Sequence, residues 1–109
     1  MTRTKVAKTH RSHDDAVVDM LRNDPTFATE YLNAALDEQE EMGGRETLLA
    51  ALRQIAKAQG FSSIAEKAGV PRESVYRALS PSGNPRVSTL LAVLKATGLK
   101  LAVQPVVHA

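Results

Sequence analysis

Residues 62–79 constrain the fold more than any other stretch of this chain, because they place a sharp turn between two short helical patterns. The turn is centred on Gly69, which can adopt the positive φ that redirects a chain between helices. Ala65 has a side chain small enough to let two helices cross closely. Val75 can anchor the second helix in the core, and Pro71 presets φ for its first turn. This spacing predicts a helix-turn-helix whose second helix, the recognition helix, can enter a DNA major groove.

The length of 109 residues predicts one domain with an N-terminal extension. The chain has no Trp and only two Phe and two Tyr, so its core must be aliphatic and rich in alanine. It has no Cys, which excludes disulfides and thiolate metal sites and suits a cytoplasmic protein. No apolar segment follows the basic N-terminal residues, so the sequence does not predict a secretory signal peptide. No apolar run approaches the roughly 18 residues of a membrane span, and we expect no membrane partner.

Charge is segregated along the chain, although the formal net charge is only +2. Residues 1–13 carry four bases and no acid, residues 14–46 carry ten acids and two bases, and residues 47–109 carry eight bases and two acids. Basic segments suit phosphate, whereas an acidic segment suits a basic protein surface. The acidic segment could equally serve only to keep the protein soluble.

Apolar periodicity predicts helices on both sides of the motif. One covers Asp14 to Arg22, a second begins near Phe27, and a third runs from about Glu46 to Gln59. Ser62 or Ser63 can cap the first helix of the motif. Glu66 follows Ser63 by three residues, which is the spacing of a capping box. A loop over 80–85 and a last helix that Gly98 closes complete the helical part.

The tail changes to the two-residue period of a β-strand, with apolar residues at Leu99, Leu101 and Val103. A lone strand cannot satisfy its backbone groups, and the chain has no second strand pattern. We therefore expect these three residues to pair with a second copy and form a homodimer.

Three stretches carry a family resemblance, YLNAAL, LLAALRQIAKAQG and SSIAEKAGVPRESVYRALSPSGNPRVSTLLAVLKATGLKLAV. Residues 46–99 resemble the five-helix, lambda-repressor-like DNA-binding domain of the XRE/Cro/C1 superfamily. More narrowly, residues 25–107 resemble the probable addiction module antidote protein family, which groups with HigA-type antitoxins. The stretch RESVYRALSPSGNP is the most diagnostic, since other repressors rarely continue with this loop. The resemblance implies an antitoxin that neutralises a RelE-like ribonuclease toxin, dimerises and represses its own operon.

The predicted fold class is all-α, a five-helix lambda-repressor-like domain with an N-terminal helical extension and a short C-terminal β-strand. Four segments are predicted: a disordered basic arm over 1–13, an acidic helical segment over 14–45, the DNA-binding domain over 46–99 and the strand or tail over 100–109.

The predicted DNA contacts lie on the exposed side of the recognition helix and in the loop that follows. Arginine can pair bidentately with guanine, Ser and Tyr can reach base edges or phosphates, and loop donors can hold phosphate. The alternative is an ordinary helical hairpin with a solvated basic face and a purely connecting loop. The predicted residues are Ser63, Arg72, Glu73, Ser74, Tyr76, Arg77, Ser82, Asn84 and Arg86.

The acidic segment supplies the predicted toxin contacts, Phe27, Tyr31, Glu38 and Glu41, although the two aromatic residues could instead complete the protein's own core. The three His have no ligand spacing, so no metal or other cofactor is expected. Exposed Glu runs are usually solvated helix faces and not acid–base pairs, and we expect no enzymatic activity.

These patterns together predict a homodimeric, DNA-binding antitoxin. Its two recognition helices would enter successive major grooves of a palindromic operator, about 34 Å apart, while the acidic segment captures a basic toxin. Two alternatives remain. The chain could be a stand-alone XRE-type repressor without a toxin, or a helical adaptor that binds only protein, which would leave the basic half unexplained.

Overall fold

The computed structural model describes residues 12–37 and 43–107. Within these ranges the chain forms six helices and no strand. No helix there is long and apolar enough to cross a membrane. The helices are α1 (His13–Asn23), α2 (Phe27–Asp37), α3 (Gly44–Gln59), α4 (Phe61–Ala68), α5 (Arg72–Ala78) and α6 (Val87–Ala96).

Helix α3 is the centre of the fold, because α1, α2 and α4 all pack against it. Its side chains Leu49, Leu52 and Ile55 are almost completely buried, and each contributes about 1.5–3 kcal/mol by leaving water. Helix α4 then packs on α5 and α6, so the core continues from the first helix to the last. The acidic N-terminal helices and the basic C-terminal helices therefore share one core.

A chain of polar contacts joins α1, α2 and α3. The Tyr31 hydroxyl donates to Oε1 of Gln54, a side chain that is only 5% exposed. Gln54 Nε2 donates in turn to Asp14 Oδ1 over 2.9 Å. Lys57 Nζ lies 3.7 Å from Asp14 and 3.8 Å from Asp15, so the first turn of α1 is held against α3 by charge as well as by hydrogen bonds.

The prediction of a five-helix domain followed by a C-terminal β-strand is wrong, although the all-α class agrees with the structure. Residues 46–99 contain α4, α5, α6 and nearly all of α3, and they share their core with α1 and α2. Residues 99–107 form no regular structure. Alternating side chains favour a strand, but a strand exists only where a neighbouring strand pairs with its backbone, and none lies in the described part of this chain.

Candidate nucleic-acid interface

The turn between α4 and α5 is built around a left-handed residue. Gly69 has φ 73° and ψ 30°, a conformation that costs other residues free energy because of their Cβ atom. Its N–H donates to the Glu66 carbonyl over 3.2 Å, and the Val70 N–H donates to the Ala65 carbonyl over 3.1 Å. These bonds satisfy the last carbonyls of α4 and set the direction in which the chain enters α5.

Helix α5 is fixed to the core by its inner face. Pro71 stands before the helix with φ −62°, and its carbonyl accepts the Ser74 N–H over 2.9 Å. Val75 is 0% exposed, and Leu79 is also buried. An Arg53 side chain from α3 donates to the Leu79 carbonyl and secures the end of the helix. The opposite face is open to solvent and presents Arg72, Glu73, Tyr76 and Arg77.

One side of α5 forms a cleft with the loop that follows it, here called the loop cleft. This cleft has a volume of about 330 Å³. Gly83 lets the loop approach, because a Cβ at this position would lie 2.2 Å from the Ala78 carbonyl oxygen. The Gly83 N–H donates to the Ser80 carbonyl over 2.8 Å. The cleft brings together four of the predicted DNA contacts, Ser74, Arg77, Ser82 and Asn84, and adds Thr89 from α6.

The other side of α5 borders a groove against α3 and the start of α1, here called the α3–α5 groove, with a volume of about 490 Å³. The Tyr76 ring stacks on Phe61, with centroids 4.2 Å apart and planes 24° apart. Arg72 donates to the Tyr76 hydroxyl over 2.9 Å, and its guanidinium lies 5.3 Å from the ring centroid. This contact holds a cation over an aromatic face at the groove edge. The remaining lining residues are Asp14, Arg53, Lys57 and Gly60.

Arg53 and Lys57 line the α3–α5 groove, and the sequence analysis missed both residues. They are four residues apart on α3 and lie outside its apolar stripe, so helical spacing places them on one face. That spacing could have identified a basic face. It could not have shown that the face borders α5, because this depends on how α3 and α5 pack.

Three predicted DNA contacts lie outside both clefts. Ser63 is half-buried on α4, while Glu73 and Arg86 are exposed. The expected serine cap is wrong, because α4 begins at Phe61 with Gly60 at the N-cap, two or three residues before the expected serines. Phe61 is the first residue of this helix, and its ring stacks on Tyr76 of α5.

The predicted toxin contacts are divided by the structure. Phe27 and Tyr31 are half-buried against the core, with ring centroids 5.5 Å apart. The exposed face of α2 instead carries polar side chains, among them Glu30 and Asp37. Glu38 and Glu41 lie outside the described residues.

The predicted dimer contacts lie in the tail after α6. Leu99 packs against the core, whereas Leu101 is 44% exposed and Val103 fully exposed. The tail runs beside α2 and encloses a cleft of about 310 Å³ with Leu32 and Leu36.

Within residues 12–37 and 43–107, no three His, Asp or Glu side chains are grouped closely enough to hold a metal ion. The clefts on the two sides of α5 present guanidinium and hydroxyl groups beside the Lys57 ammonium, a set of groups that suits a polyanion.

A sequence model of the family described as "Probable addiction module antidote protein" matches residues 12–105. The chain is also similar to an uncharacterized protein of Haemophilus influenzae, with 45% identity over 74 residues, which is 68% of this chain and 72% of that protein. No solved structure matches the chain.

Proposed function

We propose that this chain, which belongs to the probable addiction module antidote protein family, is the antitoxin of a toxin–antitoxin pair and a DNA-binding repressor of its own operon. The family name supports the antitoxin assignment. The DNA-binding half of the proposal rests on one observation, that α5 is seated by its buried face while its outer face presents cations into two clefts. Within this proposal the chain is HigA-like, and its toxin is RelE-like.

The α4–α5 pair would act as a helix-turn-helix, with α5 in the major groove. Arg77 is exposed at the loop cleft and can reach guanine edges, as a bidentate contact requires. Exposed Ser82 and Asn84 line the same cleft, where they can hold a phosphate and fix the position of the helix along the duplex. Arg72 and Lys57 supply charge on the other side of α5.

A repressor of this kind would bind its operator as a homodimer. The tail offers the apolar surface for a second copy, because Leu101, Val103, Val106 and Val107 are all exposed. Two α5 helices about 34 Å apart would then read the two halves of a palindrome.

Binding of the DNA upstream of the gene tests the repressor proposal. Arg77→Ala and Arg72→Ala should each weaken operator binding by roughly 1–3 kcal/mol where a bidentate base contact is lost. Arg22→Ala is the matched control, since Arg22 is exposed in the last turn of α1 and pairs only locally with Asp19. The proposal fails if the Arg72/Arg77 double variant binds operator as tightly as the unchanged protein in a gel-shift titration.

The toxin proposal is tested by co-purification with the product of the neighbouring gene. Exposed acids should speed association with a basic partner more than they prolong the complex. We therefore expect a variant with Glu30→Gln and Asp37→Asn to associate with the neighbouring gene product more slowly than the unchanged protein does. Glu66→Gln, an exposed acid on α4, is the control. If the product of the neighbouring gene neither co-purifies with the chain nor alters its stability, the toxin proposal fails and only the repressor proposal remains.

A further inference from the structure

Three side chains stack on one another at an edge of the α3–α5 groove. Phe61 of α4 is 8% exposed and packs in the core, and the Tyr76 ring of α5 lies on it with a centroid distance of 4.2 Å. Tyr76 is itself 42% exposed. Arg72 completes the stack, because it donates to the Tyr76 hydroxyl over 2.9 Å with its guanidinium 5.3 Å from the ring centroid. The stack therefore leads from the core to the exposed face of α5.

Helix α5 does not by itself fix the direction of the Arg72 side chain. Arg72 is the first residue of this helix, where the helix dipole favours an acid over a base. An exposed arginine also has several rotatable bonds and can point in many directions. The hydrogen bond to Tyr76 and the contact with its ring therefore hold the guanidinium at the edge of the groove.

The held guanidinium keeps most of its capacity to bind an anion. It has five N–H donors, and one of them is used in the described hydrogen bond to Tyr76. Asp14 lies in the same groove, but it pairs with Lys57, and no carboxylate of the described residues forms an ion pair with Arg72. The predicted basic arm contributes no described side chain to this groove, and its residues 1–11 lie outside the described residues. Arg72 is thus both oriented and available.

We propose that Tyr76 is a positioning residue, which holds Arg72 in the orientation that meets DNA and does not itself contact the duplex. This inference rests on the proposed DNA-binding function and gives Tyr76 a different role from the direct contact that its exposed position predicts. Phe61 supports the Tyr76 ring from the core side. Because the freedom of the Arg72 side chain is already reduced on folding, less of it is lost on DNA binding, and the complex is tighter.

A double-variant cycle separates this role from a direct contact. Tyr76→Phe keeps the ring stack and removes the hydroxyl that accepts from Arg72. We expect it to raise the Kd for operator DNA about 3–10-fold in gel-shift titrations, the cost of leaving one long side chain unrestrained before binding. In a protein that carries Arg72→Ala, the same substitution should change the Kd less than about 2-fold, because the group that Tyr76 holds is gone.

Arg77→Ala provides the matched background. Arg77 is exposed on the same helix, but it lines the loop cleft on the other side of α5. Tyr76→Phe should therefore keep its effect of about 3–10-fold when Arg77 is replaced. A general defect in α5 would weaken operator binding in all three backgrounds, whereas a positioning role is confined to the backgrounds that contain Arg72.

Equal losses in the unchanged and Arg72→Ala backgrounds would overturn the inference, because Tyr76 would then act without Arg72. A Kd that Tyr76→Phe leaves unchanged in the otherwise unmodified protein would also overturn it. In both cases, weaker operator binding by Arg77→Ala would leave the proposed DNA-binding function standing. If the unmodified protein binds no operator DNA, the proposed function itself is wrong and the inference fails with it.

Discussion

Gly83 is the residue at which the loop cleft depends on the absence of a side chain. It is buried against the end of α5, where a Cβ would lie 2.2 Å from the Ala78 carbonyl oxygen and 3.0 Å from that of Arg77. Both atoms belong to the backbone, which cannot rotate away as a flexible side chain can. Gly69 is constrained for a different reason, its positive φ, and an added Cβ there would meet nothing within 4 Å.

We predict that Gly83→Ala lowers the free energy of unfolding by about 1–3 kcal/mol, the usual cost of forcing extra volume into a packed site. Urea denaturation measures this change. Ser82→Ala, at the exposed neighbouring position, should change stability by no more than about 0.5 kcal/mol. Equal midpoints for the two variants would show that the loop can move away from α5 at little cost.

A second prediction concerns Tyr31, which could serve either the core or a toxin. Tyr31→Phe removes the hydroxyl that donates to the buried Gln54 side chain, so we expect a loss of about 1–3 kcal/mol in stability. Tyr76→Phe is the matched control, because the Tyr76 hydroxyl contacts only the exposed Arg72 in the described hydrogen bonds, and its loss should cost about 0.5 kcal/mol or less. If Tyr31→Phe left the free energy of unfolding unchanged, the hydroxyl would not stabilise the fold. That result would favour a role for Tyr31 as a toxin contact.

At the scale of elements, α1 and α2 cover the side of α3 that α4 leaves open. Val17, Leu21 and Leu32 are buried in the same core as the side chains of α3. The predicted boundary between the acidic segment and the DNA-binding domain therefore crosses a continuous core. The boundary remains a prediction, but the packing has a measurable consequence.

We predict that a fragment containing only residues 44–107 lacks cooperative unfolding, because it exposes the apolar face of α3 to water. The fragment 12–107, which retains all six described helices, should melt in a single transition. Thermal circular dichroism of the two fragments makes the comparison. A sharp transition in the shorter fragment would establish that the basic half is an independent domain.

At the scale of the whole molecule, the described residues expose apolar side chains on the tail and on α6, besides Met20 on α1. The tail exposes Leu101 and Val103, and α6 exposes Val87 and Leu91. An interface that buries the tail set or the α6 set would join two copies by apolar contact.

We predict that Leu101→Asn with Val103→Asn shifts the protein from dimer to monomer in light scattering, because polar side chains would weaken an apolar contact between copies. Val87→Asn with Leu91→Asn is the matched variant on α6 and should remain dimeric. The reverse result would move the interface to α6 and refute the role of the tail.

Much of this protein follows from short-range patterns. The all-α class, the turn at Gly69, the burial of Val75 and the exposed face of α5 were all predictable, because helix periodicity and turn conformation depend on residues that are close in sequence. The diagnostic stretch RESVYRALSPSGNP also pointed to the family before any fold was known.

Contacts between distant residues were decided only by the tertiary structure. The alternation at Leu99, Leu101 and Val103 produced no strand, because pairing needs a second strand that the sequence pattern cannot supply. The Phe61 ring of α4 stacks on Tyr76 of α5, and Asp14 reaches the groove beside Arg72 because α1 packs on α3. A local pattern determines which face of a helix is apolar, whereas the packing of that face against another helix determines which polar residues become neighbours.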